Sequence, residues 1–252
     1  MTRTSFALLA VLLVGLTPGP AAAQPAAADG SWYVGTTYTV KPGMMPEFHE
    51  LMMKEFVPAA KKGGVKTAQA WRYTTGGGDR VLRITLLDSL ADRDSPTRAE
   101  KAMGPVAFKA FQKKLAALVV STNSYVGRQR LDMGWNPPGS PAPKLAERYE
   151  VRIAPGRNAE YLKYVQAFLE AAKKTGHRRA AGVRVFGGNP GTFISQTYYD
   201  SWADLEKGRP PDRSMSPAEL SAFNALAGNG LITVISRDVM VYDPELSIVP
   251  PS

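Results

Sequence analysis

Apolar and polar positions alternate with a period of two over Tyr33–Lys41, with Tyr38 and Val40 on one face, which predicts a β-strand. Pro42-Gly43 turns the chain, and the period then becomes helical. Phe48, Leu51, Met52 and Phe56 share one stripe of a helix predicted from about Pro46 to Lys62, ended by Gly63-Gly64. Lys66–Thr74 and Arg80–Asp88 read as two strands joined by the turn Gly76-Gly77-Gly78. Ser95-Pro96 opens a short helical piece, which Gly104-Pro105 breaks. A longer helix over Pro105–Leu118 carries Phe108, Phe111, Leu115 and Leu118 on one side, and Val119–Leu131 closes as a strand.

The same order then returns. Arg148–Ile153 is a strand, Pro155-Gly156 a turn, and Asn158–Lys174 a helix with Tyr161, Tyr164, Val165, Phe168 and Leu169 on one face and Gly176 at its end. Ala180–Phe186 and Thr192–Asp200 form a hairpin around Gly187–Gly191. Ser216-Pro217-Ala218-Glu219 is a capping box ahead of a helix with Leu220, Phe223 and Leu226 in its stripe, and Ile232–Tyr242 is the last strand. The halves also share residues. Leu86-Leu87-Asp88-Ser89-Leu90-Ala91-Asp92 returns 112 positions later as Tyr198-Tyr199-Asp200-Ser201-Trp202-Ala203-Asp204, and Ala59-Ala60-Lys61-Lys62 returns at the same offset as Ala171-Ala172-Lys173-Lys174. An internal repeat of this kind sets the architecture.

The order β-α-β-β-α-β, twice, is the ferredoxin-like plan: an antiparallel sheet with two helices on one face. The chain resembles the dimeric α+β barrel superfamily, and within it the antibiotic-biosynthesis-monooxygenase-like and NIPSNAP-like domains. The resemblance rests on the element order in both halves, on Tyr38-Thr39-Val40 followed by Pro42-Gly43 and a helix, and on the Asp-Ser-x-Ala-Asp turn after the third strand of each half. It implies an α+β fold of two tandem ferredoxin-like domains packed sheet to sheet as an intrachain barrel around a cavity. The expected division is a signal peptide over 1–23, a tether over 24–31, a first domain over 32–134, a Pro-rich linker over 135–146, a second domain over 147–243 and a tail over 244–252.

The first 23 residues carry Arg3, a short apolar run from Phe6 to Leu16 and Ala21-Ala22-Ala23, the form of a cleavable secretory leader, so an exported, periplasmic or secreted protein is expected. Nothing later is apolar enough to span a membrane. There is no cysteine, which excludes disulfides, a thiolate nucleophile and Cys-based metal sites. The chain is basic, with 31 Lys and Arg against 22 Asp and Glu, but the charges are scattered and no nucleic-acid motif accompanies them.

Candidate chemistry is sparse. Aligning the second strands of the halves sets Trp71 and Tyr73 beside Val183 and Val185, against the helices, and sets Arg72 beside Arg184, facing the barrel interior. Arg83, Ser195, Thr197 and Tyr199 take comparable positions on the third strands. A paired guanidinium fork suits carboxylates and phosphates, so Arg72, Arg184, Arg83, Thr197 and Tyr199 are the candidate ligand-binding set. Arginines capped by local carboxylates, or lying at the rim in water, are the structural alternative. His49 and His177 occupy different repeat positions, and no metal site, P-loop or Ser/His/Asp set can be assembled.

The resemblance adds two activities to weigh. Cofactor-free monooxygenases of that family use Asn, Trp and Tyr or His around an oxidisable substrate, for which Trp71, Trp202, Tyr198 and Tyr199 are raw material; Trp202 is more simply a packing residue at a helix start. Haem-degrading members take a helix histidine, and neither histidine here falls naturally at that place. The reading is an exported protein, monomer or homodimer, that binds a small anionic or aromatic ligand between the sheets without a cofactor. A cofactor-independent monooxygenase and an envelope scaffold are the alternatives.

Overall fold

The computed structural model of the protein describes residues 29–137 and 139–249. The expected signal peptide and most of the expected tether lie outside the described residues. The first half holds β1 (Asp29–Val40), α1 (Met45–Leu51), a π-helical stretch Met52–Phe56, α2 (Val57–Lys62), β2 (Ala68–Tyr73), β3 (Arg80–Leu86), α3 (Arg98–Met103), α4 (Pro105–Leu118) and β4 (Val119–Arg130). The second holds β5 (Leu145–Ile153), α5 (Asn158–Thr175), β6 (Arg179–Phe186), β7 (Phe193–Tyr199), α6 (Trp202–Glu206), α7 (Pro210–Ser214), α8 (Pro217–Ala227) and β8 (Ile232–Ile248).

The strands form one closed barrel in the order β1-β3-β2-β8-β5-β7-β6-β4, with β4 returning to β1. Each half contributes four antiparallel strands in ferredoxin-like order. The halves do more than face each other: their edges hydrogen-bond, β2 to β8 with Trp71 opposite Tyr242, and β4 to β6 with Gly127 opposite Arg184. Both sheet edges are thereby consumed, which removes the pairing hazard of an open edge. Helices cover the outer faces. One core lies under α1–α4, with Phe48, Met52 and Phe111 against Val40, Ala70 and Val81, and another lies under α5, with Tyr161, Val165 and Leu169 against Val151 and Ile153.

The local signals act as their chemistry predicts. Gly176 ends α5 at φ 74, where its N–H bonds the carbonyls of Ala172 and Lys173. The Ser216–Glu219 capping box forms ahead of α8. The repeated Asp-Ser-x-Ala-Asp segment is a capping device in both halves: the Asp88 N–H donates to Asp92 Oδ2 at 3.0 Å and the Asp200 N–H to Asp204 Oδ2 at 3.3 Å.

Several element bounds differ from expectation. Strand β1 begins at Asp29, inside the expected tether, and β5 begins at Leu145, inside the expected linker. β8 runs to Ile248, through the expected tail, because Pro244 falls where the β2–β8 register shifts and needs no ladder donor. Ser247 Oγ then accepts the Ala70 N–H at 2.9 Å. Trp202 starts α6 as expected but is 52% exposed rather than packed.

Candidate functional site in the barrel interior

A half-open cavity of about 680 Å³ lies between the halves, with Gly134, Trp135, Asn136 and Pro137 in its lining. That volume is of the size that holds a small organic molecule. Its apolar wall is Tyr33, Ile84, Leu86, Ile194 and Tyr198, and its polar lining includes Gln69, Arg148 and Gln196. Beneath lies an aromatic floor. Trp71, fully buried, stacks on Tyr198 with centroids 5.7 Å apart and meets Tyr242 edge-on at 5.2 Å.

Strand alternation carries these residues inward. On β5, Glu147, Tyr149 and Val151 face the helices, so Ala146, Arg148 and Glu150 face the interior. Arg148 is 1% exposed. Its Nη2 donates to Tyr125 Oη at 2.9 Å and to Glu150 Oε1 at 2.8 Å, whereas Nε and Nη1 have no partner. Burial works against its charge, but Tyr125, Tyr73 and Glu150 around it outweigh burial and hold its pKa above the ordinary value. Gln196 Nε2 is a second buried donor without a partner. Unpaired buried donors cost free energy unless something accepts from them.

Tyr33 reaches the cavity because two strand positions lack a Cβ. A Cβ on Gly182 would lie 2.6 Å from Tyr33 Oη, and one on Gly127 would lie 2.3 Å from Tyr33 Cζ. Desolvation raises the Tyr33 pKa, so its hydroxyl stays protonated and can donate.

The residues expected to form the site separate. Arg184 does face the interior, but its Nη2 holds both Glu150 oxygens at 3.0–3.1 Å and its guanidinium lies over the Tyr125 ring at 4.3 Å. Arg72 faces outward instead: its side chain is 50% exposed, 3.5 Å from Asp243. Trp71 and Tyr73, expected against the helices, face the interior. The physical reason is a one-residue change of offset. Ala70 pairs with Arg83, and Ala181 pairs with Ser195, so β2 and β6 correspond at 111 positions while β3 and β7 correspond at 112. Tyr73, not Arg72, is therefore the counterpart of Arg184, and one residue reverses every face on a strand.

Arg83, Thr197 and Tyr199 also lie on the helix-facing side. Arg83 is 4% exposed over the Phe56 ring, its three nitrogens without partners, and desolvation pushes its pKa down to about 10. Tyr199 Oη donates to Glu147 Oε2 at 3.3 Å. Neither histidine lines the cavity. His49 pairs with Asp243 at 3.2 Å, and His177 bonds Thr175, Asp204 and Arg213. Among the described residues no group of three or more His, Asp or Glu side chains could hold a metal ion, and no helix is long and apolar enough to cross a membrane. Arg148 and Gln196 escaped the sequence reading because polar residues flank each on its strand, Glu147 and Glu150 around Arg148 and Ser195 and Thr197 around Gln196, so alternation does not single them out.

No family model and no curated protein matches the chain. Solved structures do match, at low identity. An anthrone oxidase-like protein aligns with TM-score 0.59 and 13% identity over 86% of this chain and 92% of its own. A candidate monooxygenase from Lactobacillus acidophilus NCFM aligns with TM-score 0.58 and 9% identity over 87% and 97%. A candidate chlorite dismutase aligns with TM-score 0.50 and 12% identity over 85% and 96%. The fold is that of a dimeric α+β barrel with ferredoxin-like halves, here both supplied by one chain.

Proposed function

We propose that this protein binds a small aromatic acid in the barrel cavity and acts in an exported compartment. The observation that carries this reading is the pairing of aromatic and aliphatic walls with buried donor atoms that have no partner, Nε and Nη1 of Arg148 and Nε2 of Gln196. A flat apolar ring fits against Tyr198, Ile84 and Ile194, and a carboxylate or quinone oxygen accepts from the free donors. A carboxylate also receives the Arg148 charge in a low-dielectric setting, where charge-assisted bonds are strongest. Export rests on the leader alone, through Arg3, the run from Phe6 to Leu16 and the Ala21-Ala22-Ala23 site.

Calorimetric titration with salicylate and naphthoate tests this. Both acids are expected to bind, their amides more weakly, and Arg148→Met is expected to cost about 2–5 kcal/mol of binding. Equal affinity for acid and amide, in the wild type and in the variant, would sink the reading.

A second reading, cofactor-independent oxidation of a phenol or quinol in the same cavity, draws on the likeness to an anthrone oxidase-like protein and to candidate monooxygenases. Oxygen uptake with a panel of quinols and phenols tests it, and an inert result across the panel counts against it.

A further inference from the structure

A second pocket, of about 360 Å³, lies on the other side of the barrel wall. It sits between β5, β7 and β8 and the chain around α7, and its lining includes Glu147, Tyr149, Tyr199, Arg209, Asp212 and Arg237. Because side chains alternate along each strand, these residues face the helices while Arg148, Gln196 and Tyr198 face the interior. The two spaces share a wall and no lining residue.

Glu147 is the centre of the pocket. It is 2% exposed, and its carboxylate is fully engaged. Arg237 Nε donates to Oε1 at 2.7 Å and its Nη2 lies 2.6 Å away, while the hydroxyls of Tyr149 and Tyr199 each donate at 3.3 Å. A buried carboxylate requires a cation or several donors to stay charged. Its partners are unequal: the tyrosines are held in the sheet, but the Arg237 side chain is 61% exposed and reaches in from solvent. Aromatic faces complete the enclosure, with Arg237 over the Tyr149 ring at 5.5 Å and Arg213 over the Tyr199 ring at 5.6 Å.

Of the remaining charges, Arg179 attracts Glu147 through space, and neither it nor Arg209 takes over the hydrogen bonds that Arg237 makes. Arg209 is bound in a two-bond pair to Asp212, at 3.0 Å for each bond. Arg179 lies over the Phe168 ring at 4.4 Å. No hydrogen bond among the described residues joins either to Glu147. Nor is the arrangement a by-product of the fold. Strand pairing puts Val34, Thr36, Leu87 and Ser124 at the corresponding positions of the first half, where no carboxylate is buried.

A desolvated carboxylate flanked by aromatic faces recognises organic cations, through the ion pair and the ring quadrupole together. We propose that this pocket is a second binding site, for a small organic cation bearing a guanidinium or primary ammonium group, and that Arg237 occupies it in the ligand-free protein. A ligand enters by displacing one exposed side chain, and Glu147, Tyr149 and Tyr199 keep their places. The proposal is independent of the acid bound in the barrel.

The test is chemical replacement. Arg237→Ala removes the resident guanidinium and leaves Glu147 in place. Ethylguanidinium at low millimolar concentration, with sodium chloride at equal ionic strength as control, is expected to raise the melting temperature of this variant saturably. Its apparent affinity should be at least tenfold tighter than for the wild type, where Arg237 competes. Arg237→Ala combined with Glu147→Gln should lose the response. Should Arg237→Ala not fold, Arg237→Met, which keeps the aliphatic stem over Tyr149, is held to the same outcome. No saturable response, an equal response to acetate, or an unchanged response with Glu147→Gln would overturn the proposal.

Discussion

Trp71 and Tyr198 lie face to face across the barrel interior, one from each half of the chain, with ring planes 2° apart and centroids 5.7 Å apart. The contact ties β2 to β7, which share no ladder, so it joins the two halves through side chains where the seams join them through backbone.

Trp71→Ala removes a fully buried indole from that junction and should cost about 3–5 kcal/mol in urea unfolding. Trp71→Phe keeps a ring on Tyr198. Because Trp71 Nε1 has no partner to lose, the phenylalanine variant should cost less than half as much. Equal losses would show that the indole does more than pack.

Gly182→Ala brings a Cβ to 2.6 Å from Tyr33 Oη and 3.0 Å from the Arg128 carbonyl oxygen. Overpacking of this kind costs about 1–3 kcal/mol. Tyr33→Phe in the same chain should recover part of the loss, since it relieves the hydroxyl contact and leaves those to the Arg128 carbonyl oxygen and to the ring carbon Cε1, each at 3.0 Å. No recovery would mean that the contacts to the Arg128 carbonyl oxygen and the ring edge set the cost.

These two positions also mark how far the sequence could be read. The repeat was legible because the Asp92 and Asp204 carboxylates cap their own turns, and local chemistry leaves a local signature. The element order was legible for the same reason, from periodicity and from glycine and proline. Closure of the barrel was less so: Trp71 opposite Tyr242 is a pairing between strands far apart in the chain, and nothing near either residue encodes it. The site was read on the wrong face of β2 because the offset of 112 was carried one strand too far. Ala70 and Ala181, both small and unremarkable in sequence, are the residues that fix the correct register.

Arg83 is a buried cation without a hydrogen-bond partner, and desolvation lowers its pKa to about 10. Its volume is nearly that of a methionine stem with a polar head, so Arg83→Met should fill the space under Phe56 and raise stability by about 1–3 kcal/mol, the cost of an unpaired buried polar group. Chemical denaturation measures it, and a destabilised variant would show that the charge has a role in the native state.

His177 is held below its ordinary value of 6.5, first by burial and then by Arg213, with Asp204 opposing. The folded state therefore favours the neutral ring. Above 6.5 neither state carries the proton and the full stability is present. As pH falls below 6.5 the unfolded chain takes up the proton first, so stability declines until the folded pKa is passed. His177→Gln should flatten the unfolding midpoint across that window, and an unchanged slope would assign the acid sensitivity to other groups.

The most direct test of ligand binding within the barrel is Leu86→Trp. Leu86 lines the cavity through an apolar side chain, so a tryptophan at this position takes up space a ligand needs while Arg148 and Gln196 are left unsubstituted. Titration of wild type and variant with naphthoate, alongside their unfolding midpoints, gives the answer. Binding lost in a variant that unfolds at the wild-type midpoint is the predicted result. Naphthoate binding of undiminished affinity to the folded variant would contradict the cavity as the site.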